Sequence, residues 1–289
     1  MARRGIYWLA SYPKSGNTWF RAWLRNLLSG SEMPADINAL DTPIASSRNW
    51  LDTVLGFDTG DLDFDEVDRL RPAVYGWRPG DLGVDYHKVH DAYVQLRDGT
   101  PMFGGASTRG VVYILRNPLD VALSYAAHNG RTIDRTIAYM GDPTHGHNAH
   151  RDRLATQVRQ IYLDWSGHVR SWVDAADIAV HVIRYEDMHA NPQGVFTDAA
   201  HFLQVVADPA RIAEAVRHSS FTNLRAQEAA KGFAERPPTM IRFFREGGTG
   251  NWRQHLNDAQ VTRIIADHGK VMRRFGYLDA RGNPIEVDQ

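Results

Sequence analysis

A short stretch near the start of the chain combines a lysine, two hydroxyl groups and a glycine between two apolar segments. Residues 11–19 read SYPKSGNTW and follow IYWLA, which predicts a buried strand. The helix that comes next would present unpaired backbone N–H groups and the positive end of its dipole, so an anion fits there. Gly16 lets the backbone approach closely, while Ser15 and Thr18 add hydroxyl donors. With the charge of Lys14, the stretch predicts a phosphate-binding loop, and a plain strand–turn–helix connection is the alternative.

The position of the lysine in this loop is unusual. In the common loop for nucleoside triphosphates, G-x-x-x-x-G-K-[ST], the lysine follows a glycine. Here Lys14 comes two residues before Gly16, the one glycine of the stretch. The loop therefore calls for a phosphate compound other than an ordinary nucleoside triphosphate.

A second candidate anion site follows the apolar run VVYIL at 111–115. Arg116 leaves the end of this predicted strand, and Asn117-Pro118 then opens a helix, since proline favours the first helical position. Ser124 lies two helical turns beyond Asn117, so the arginine and the serine can face one anion beside the helix. The alternative, in which Arg116 pairs with Asp120 and the serine bonds back to its own helix, is equally compatible with these residues.

A histidine ends the predicted short strand VDYHKVH at 84–90. The unperturbed pKa of a histidine, near 6.5, suits removal of a proton from a hydroxyl at neutral pH. His90 is therefore a candidate general base. A structural or surface histidine is the alternative.

Composition excludes several classes of protein. Lys and Arg together number 33 against 34 for Asp and Glu, so the net charge provides no field that attracts nucleic acid or an anionic membrane. Cysteine is absent, which excludes disulfides, zinc–thiolate sites and a cysteine nucleophile. No apolar run approaches the roughly 18 residues of a membrane helix. We expect a soluble, cytoplasmic protein.

Apolar runs alternate with helical patterns along the chain. The predicted strands are 6–10, 84–90, 111–115 and 178–183, and the predicted helices are 18–28, a short acidic one within 56–70, one from 118, then 154–173, 193–206, 208–218 and 257–275. We predict a mobile loop over 131–153. Strands alternating with helices indicate one α/β domain over 1–289, with a central, mostly parallel sheet flanked by helices and ligand groups at the carboxyl ends of the strands.

Several motifs resemble those of one family, in the order in which that family has them. Tyr12 to Trp19, YPKSGNTW, resembles the signature of the cytosolic-type sulfotransferases, which use 3′-phosphoadenosine 5′-phosphosulfate (PAPS). The other matches are RNPLDVALS at 116–124, KVH at 88–90, YED at 185–187, HSSF at 218–221 and FFREGGTGNWR at 243–253. The resemblance implies a P-loop-like sulfotransferase fold and a donor with two separate phosphate groups, in agreement with two candidate anion sites.

The resemblance also implies roles for individual residues. His90 would take the proton of the acceptor, and Lys88 would add positive charge near the sulfuryl group. Lys14 would stabilise charge on the leaving phosphate. The donor would be held by Lys14, Ser15, Gly16, Asn17 and Thr18 at the 5′-phosphate, by Arg116, Ser124, Arg245 and Gly247 at the 3′-phosphate, and by Trp19, Tyr185, Ser219 and Phe221 around the adenine.

The chain departs from the family at three places. Asn17 stands where many members have threonine, and Glu246 stands where lysine is common. After His90 the chain reads DAY rather than the frequent LP, so contacts to the acceptor must differ. The three histidines in HGHNAH at 145–150 allow a metal site as an alternative, but we predict no metal and assign them to the loop over the acceptor pocket.

The resemblance predicts a PAPS-dependent sulfotransferase that acts on a hydroxyl, of a phenol or an alcohol, or on an amine of a small-molecule acceptor. We expect neither nucleic acid nor membrane as a partner and leave a homodimer open. Two rivals remain open, namely an atypical P-loop nucleotide kinase and a non-catalytic nucleotide-binding protein on the same scaffold.

Overall fold

A parallel sheet forms the centre of the α/β fold. The computed structural model describes residues 5–77, 83–150 and 153–285. Its main sheet has four strands in the order β2–β1–β3–β6. These strands are β1 (Gly5–Ala10), β2 (Val84–Val89), β3 (Thr108–Leu115) and β6 (Val180–Arg184). Strand β1 pairs in parallel with both β2 and β3, and all six of its residues are buried, which explains its uninterrupted apolar sequence.

Helices follow and connect the strands. They are α1 (Asn17–Ser29), α2 (Arg48–Leu55), α3 (Phe64–Gly76), α4 (Pro118–Asn129), α5 (Ile133–Met140), α6 (Trp165–Val173), α7 (Tyr185–Ala190), α8 (Pro192–Phe202), α9 (Pro209–His218), α10 (Phe221–Lys231), α11 (Trp252–His255) and α12 (Asp258–Arg274). A short antiparallel pair joins β4 (Gly146–His147) to β5 (Gln160–Ile161). No helix in the described ranges combines the length and apolar character needed to cross a membrane.

Local sequence explains where the predicted helices begin. At α3, Asp63 and Glu66 form a reciprocal capping box, which confirms the acidic, capped helix start expected within 56–70, although the helix continues to Gly76. At α4, the side chain of Asn117 accepts the N–H of Leu119, and Pro118 occupies the first helical position.

The prediction of a loop over 131–153 was wrong in its first part. Helix α5 occupies Ile133–Met140, where the Oγ1 of Thr132 caps it by accepting the N–H of Arg135. The apolar side chains of Ile137 and Met140 anchor the helix because they are buried. Strand β4 follows, and residues 151 and 152 of the predicted loop lie outside the described residues.

The predicted helix over 154–173 begins later than expected. Leu163 adopts the left-handed region with φ 59°, and Asp164 then caps α6 by accepting the N–H of Gly167. Tyr162 therefore precedes the helix, although it is buried, as are Trp165 and Trp172. Helices α2 and α10 were not predicted. Helix α10 has no clear apolar face, whereas α2 has one, at Trp50, Leu51, Val54 and Leu55, but is only eight residues long.

The chain divides into two compact units. The first comprises residues up to 12, 42–113 and 142–182, with most of the sheet and helices α2, α3 and α6. Its core contains an aromatic cluster in which Trp8 contacts Tyr75 and Phe103 at centroid distances of 5.1 and 5.2 Å. The second unit comprises 13–41, 114–141 and the chain from 183 onward. In it, Trp23 of α1 stacks on Phe196 of α8 at 4.5 Å.

Candidate functional site

The N-terminus of α1 is built to accept an anion. Gly16 is its N-cap residue, with φ 103°, and no side chain caps the helix. Among the described residues, every other helix of eight residues or more has a capping side chain. The hydroxyl of Ser15 is buried and makes no hydrogen bond to described residues. Because buried polar groups are nearly always satisfied, the loop fits a ligand with oxygen acceptors.

Gly16 is required by the packing of the loop. A Cβ atom at this position would lie 2.5 Å from Cδ2 of Tyr185, and the positive φ disfavours any other residue. The tyrosine ring therefore lies directly against the loop backbone. On its ring face lies the guanidinium of Arg116, 4.2 Å from the ring centroid.

Arg116 connects the phosphate loop with a glycine-rich loop, which comprises residues 243–253. Its Nη1 donates to the carbonyl oxygen of Lys14, and its Nη2 donates to that of Gly248, both at 3.1 Å. Its Nε is buried and has no hydrogen bond to described residues. The arginine does not pair with Asp120, which the sequence had left open. Since its hydrogen-bond partners are carbonyl oxygens rather than carboxylates, the guanidinium of Arg116 can still bind an anion.

Carboxylates hold the glycine-rich loop in place. Asp120 accepts the N–H groups of Gly250 and Trp252 at 2.8 and 3.0 Å. Glu228 accepts those of Phe243 and Phe244 at 2.6 and 2.9 Å. Charged acceptors make strong hydrogen bonds to backbone N–H groups, so both ends of the loop are fixed. The sequence predicted neither role.

The residues after β6 also support the site. The hydroxyl of Tyr185 donates to the carbonyl oxygen of Gly247 at 3.1 Å. Glu186 is buried and accepts the N–H of Asn117 and the hydroxyl of Tyr277, both at 2.9 Å. Burial raises the pKa of Glu186. The YED and RNP motifs are therefore joined by a direct hydrogen bond.

Lys14 lies between an aromatic ring and a histidine in the second unit. Its Nζ lies 4.0 Å from the ring centroid of Phe243 and 3.4 Å from Nδ1 of His128. The ring face attracts the ammonium group. His128 was not predicted as a site residue, although it stands one helical turn beyond Ser124, on the same face of α4.

Of the residues predicted around the adenine, Trp19 contacts Tyr185, whereas Phe221 contacts Gly247. Trp19 contacts Tyr185 edge to face at 5.7 Å, and its Nε1 is buried without a hydrogen bond to described residues. Phe221 packs against Gly247, where a Cβ atom would lie 2.3 Å from the phenyl ring. The hydroxyl of Ser219 donates to the carbonyl oxygen of Ala215, within its own helix.

Two predicted phosphate ligands are not joined to the group around Arg116. Arg245 is 43% exposed and forms an ion pair with Glu246 at 3.2 Å. Glu246 also accepts a hydrogen bond from the side-chain amide of Asn251 at 2.9 Å. The residue that departs from the family pattern therefore stabilises the loop. Ser124 is half-buried, and no hydrogen bond links it to Arg116 in the described part of the chain. Asn17 and Thr18 are buried in the first turn of α1.

The predicted base lies in the first unit, one residue beyond β2. Nδ1 of His90 lies 2.8 Å from the carbonyl oxygen of Ser11 and 3.3 Å from the hydroxyl of the same residue. Because a carbonyl oxygen only accepts, Nδ1 carries the proton, and the lone pair of the neutral ring is on Nε2. Ser11 is also the first residue of the phosphate-loop stretch. The backbone of Lys88 pairs with Pro43 and Ala45.

Two of the three histidines of HGHNAH contact an aromatic ring. His145 and His147 lie 5.6 and 6.2 Å from the ring of Tyr162. Within the described ranges, no three His, Cys, Asp or Glu residues are grouped so that they could hold a metal ion.

Comparisons with known proteins agree on one family. A profile described as "Sulfotransferase domain" matches residues 6–276. Sulfotransferase 2B1 of Homo sapiens is 23% identical over 271 residues, which are 92% of this chain and 65% of that protein. Cytosolic sulfotransferase 17 of Arabidopsis thaliana is 23% identical over 292 residues, 97% of this chain and 78% of that protein. The chain thus spans less than two thirds of the human relative.

Solved structures share the fold. Mouse sulfotransferase SULT7A1 complexed with PAP superimposes with a TM-score of 0.58 at 19% identity, over 97% of this chain and 88% of that one. Retinol dehydratase in complex with androsterone and inactive cofactor PAP superimposes with a TM-score of 0.61 at 15% identity, over 94% of this chain and 82% of that one. These comparisons confirm the fold class predicted from the sequence and the family that its motifs resemble. With its profile match over nearly the whole length, this chain belongs to the sulfotransferase family.

Proposed function

We propose that this protein transfers the sulfuryl group of PAPS to a hydroxyl group of a small-molecule acceptor. The observation that carries the proposal is the bridge made by Arg116 between the phosphate loop and the glycine-rich loop, beside an uncapped helix and the buried hydroxyl of Ser15. This arrangement favours a ligand with phosphate oxygens. Two solved neighbours contain PAP, 3′-phosphoadenosine 5′-phosphate, which is what remains of PAPS after the sulfuryl group has left. Their ligand supports a donor with a 3′,5′-bisphosphate skeleton.

The donor would be held by residues of both loops. We assign its 5′-phosphate to Lys14 and to the turn from Ser15 to Thr18, where helix N–H groups and hydroxyls converge. Arg116 and Gly247, with Ser124 and Arg245, would hold the 3′-phosphate. The adenine would lie among Trp19, Tyr185, Ser219 and Phe221, and the buried Nε1 of Trp19 gives this region an additional hydrogen-bond donor.

Residues of the chain would supply proton transfer and charge. When bound, PAPS provides a sulfuryl group that is activated by its bond to phosphate. The Nε2 of His90 would take the proton of the acceptor hydroxyl as the new O–S bond forms, because Nδ1 is committed to Ser11. The ammonium group of Lys14 would stabilise negative charge on the oxygen that leaves sulfur, and Lys88 would add positive charge. The proposal assigns no step to a metal ion.

We further propose that both units work as one sulfotransferase domain, since the family profile runs through both. The acceptor class is proposed from two structures of retinol dehydratase, one with androsterone and one with retinol. By analogy, we infer an apolar or aromatic acceptor with a hydroxyl group. The cytosolic sulfotransferase among the relatives supports activity in the cytoplasm.

Replacing Arg116 with alanine is expected to weaken the binding of PAP. A charge-assisted contact is worth roughly 1.5–3 kcal/mol, which corresponds to a loss of about 10- to 150-fold in affinity. Isothermal titration calorimetry with PAP measures it directly. Arg263→Ala is the matched control, because Arg263 is an exposed arginine of α12 that pairs with Asp267.

The same titration tests the rival function. Binding of PAP by the unaltered protein, with little response to ATP and magnesium, supports the proposal. If ATP with magnesium bound tightly and PAP did not, a nucleotide kinase would replace the sulfotransferase as the proposed function.

A further inference from the structure

The segment that carries His90 is clamped by side chains of α6. Nε2 of His168 lies 3.0 Å from the backbone carbonyl oxygen of His90. Trp172 donates its Nε1–H to the carbonyl oxygen of Asp91 at 2.9 Å. One residue of the clamp contacts the predicted base itself, and the other contacts its neighbour.

Each ring nitrogen of His168 has a separate partner. Because the carbonyl oxygen of His90 only accepts, Nε2 of His168 must carry the proton. Nδ1 is then the acceptor, and it receives the hydroxyl proton of Tyr113 at 2.8 Å. His168 is fully buried, and burial lowers its pKa to about 4, so the ring is neutral near pH 7, in agreement with this assignment.

We propose that Tyr113 and His168 form a positioning pair for the general base. The tyrosine hydroxyl fixes the tautomer of His168, and the N–H of His168 fixes the backbone of His90. The imidazole of His90 is thereby held with Nδ1–H on the carbonyl oxygen of Ser11 and its lone pair on Nε2. This inference rests on the proposed role of His90 as the base.

A purely structural role explains these contacts less well. An imidazole that is fully buried forfeits its hydration, whereas a leucine or phenylalanine would fill the same place among Tyr12 and Tyr113 at no such cost. Asp91 is held independently, by its ion pair with the buried Arg71 at 2.9 Å. Loss of His168 therefore releases chiefly the carbonyl of His90, and the rest of the segment keeps its anchors.

The test compares two substitutions at position 168. His168→Leu removes both polar partners, whereas His168→Gln keeps an N–H donor and a carbonyl acceptor. Nitrogen-15 NMR of imidazole-labelled protein reports the tautomer of His90 without any acceptor. Turnover with PAPS and 2-naphthol as a probe phenol gives kcat and KM, and calorimetry gives the Kd of PAP.

We expect His168→Leu to mix the two tautomers of His90 and to lower kcat by roughly 10- to 100-fold, as misplacement of a catalytic group does. The Kd of PAP should not change, and His168→Gln should recover most of kcat. His268→Leu, which removes a buried histidine of α12, is the control and should leave the His90 signals unchanged. An unchanged tautomer and kcat in His168→Leu would overturn the proposal.

A second variant covers the case in which His168→Leu does not fold. Tyr113→Phe removes one hydroxyl and keeps the ring, and we expect a smaller change of tautomer and of kcat in the same direction. The absence of both changes would also overturn the proposal. If His90→Ala retained full turnover, the role of His90 in the proposed function would fail; if only the His168 and Tyr113 variants behaved like the unaltered protein, the positioning pair alone would fail.

Discussion

Replacing His90 with alanine is expected to lower the turnover number by about 10²–10⁴-fold, the usual contribution of a general base. The expected loss follows from the tautomer set by Ser11, which leaves Nε2 as the ring nitrogen that can accept a proton. The Kd of PAP should stay nearly the same, because the residues assigned to the donor lie on the phosphate loop and in the second unit. Turnover is measured with PAPS and 2-naphthol, and binding by calorimetry.

An exposed histidine provides the comparison for this experiment. His201 lies on the surface of α8, so His201→Ala should keep both turnover and binding. Turnover by His90→Ala at the rate of the His201 variant would remove His90 from the mechanism. A parallel loss of PAP affinity in His90→Ala would instead assign the residue to donor binding.

Replacing Lys14 with alanine is expected to lower kcat by about 10²–10³-fold, as the removal of one group that stabilises transition-state charge does. The loss of PAP affinity should be smaller, because charge on the leaving oxygen develops only as the bond to sulfur breaks. The loop itself should persist, since Arg116 holds the backbone carbonyl of Lys14 rather than its side chain.

Lys270→Ala, which removes an exposed lysine of α12, serves as the matched control for charge. Two measurements on the Lys14 variant distinguish a role in catalysis from a role in binding. These are kcat with PAPS and the Kd of the complex with PAP. Equal losses in the two quantities would show that Lys14 only binds the donor, and the proposed role in catalysis would then be wrong.

The strand, loop and helix that form the proposed phosphate loop could be predicted because their determinants are local. A buried strand, a single glycine and the start of a helix stand within about fifteen residues, and the anion-binding property follows from helix geometry alone. Strands β1 and β3 were predictable for the same reason, since each contains a continuous apolar run, whereas β2 includes Asp85, His87 and Lys88. Asn117 and Pro118 likewise mark the start of α4 within two residues.

The supporting residues could not be predicted, because their partners are distant in the sequence. Asp120 accepts backbone N–H groups that lie 130 and 132 residues further along the chain. His168 contacts the carbonyl of a residue 78 positions before it. Nothing in the neighbourhood of either residue distinguishes it from an ordinary helix residue, so only the packed structure reveals these roles.

The family motifs did not predict which contacts the side chains of the site would make. Glu246 replaces a common lysine, and the sequence suggested only that a cation is lost. In the structure, its carboxylate holds Arg245 and Asn251, so the substitution supports the shape of the glycine-rich loop. The role of Arg245 toward a 3′-phosphate stays a prediction.

The most direct test of the central claim follows sulfur from the donor to a product. The protein is incubated with PAPS labelled in its sulfuryl group and with a panel of cell extracts and phenols, and the products are identified by mass. We expect PAP to form in equal amount with one sulfated acceptor, and His90→Ala to slow this transfer by about 10²–10⁴-fold while it still binds PAP. Binding of PAP without sulfation of any acceptor would contradict the claim and would leave a nucleotide-binding protein on a sulfotransferase fold.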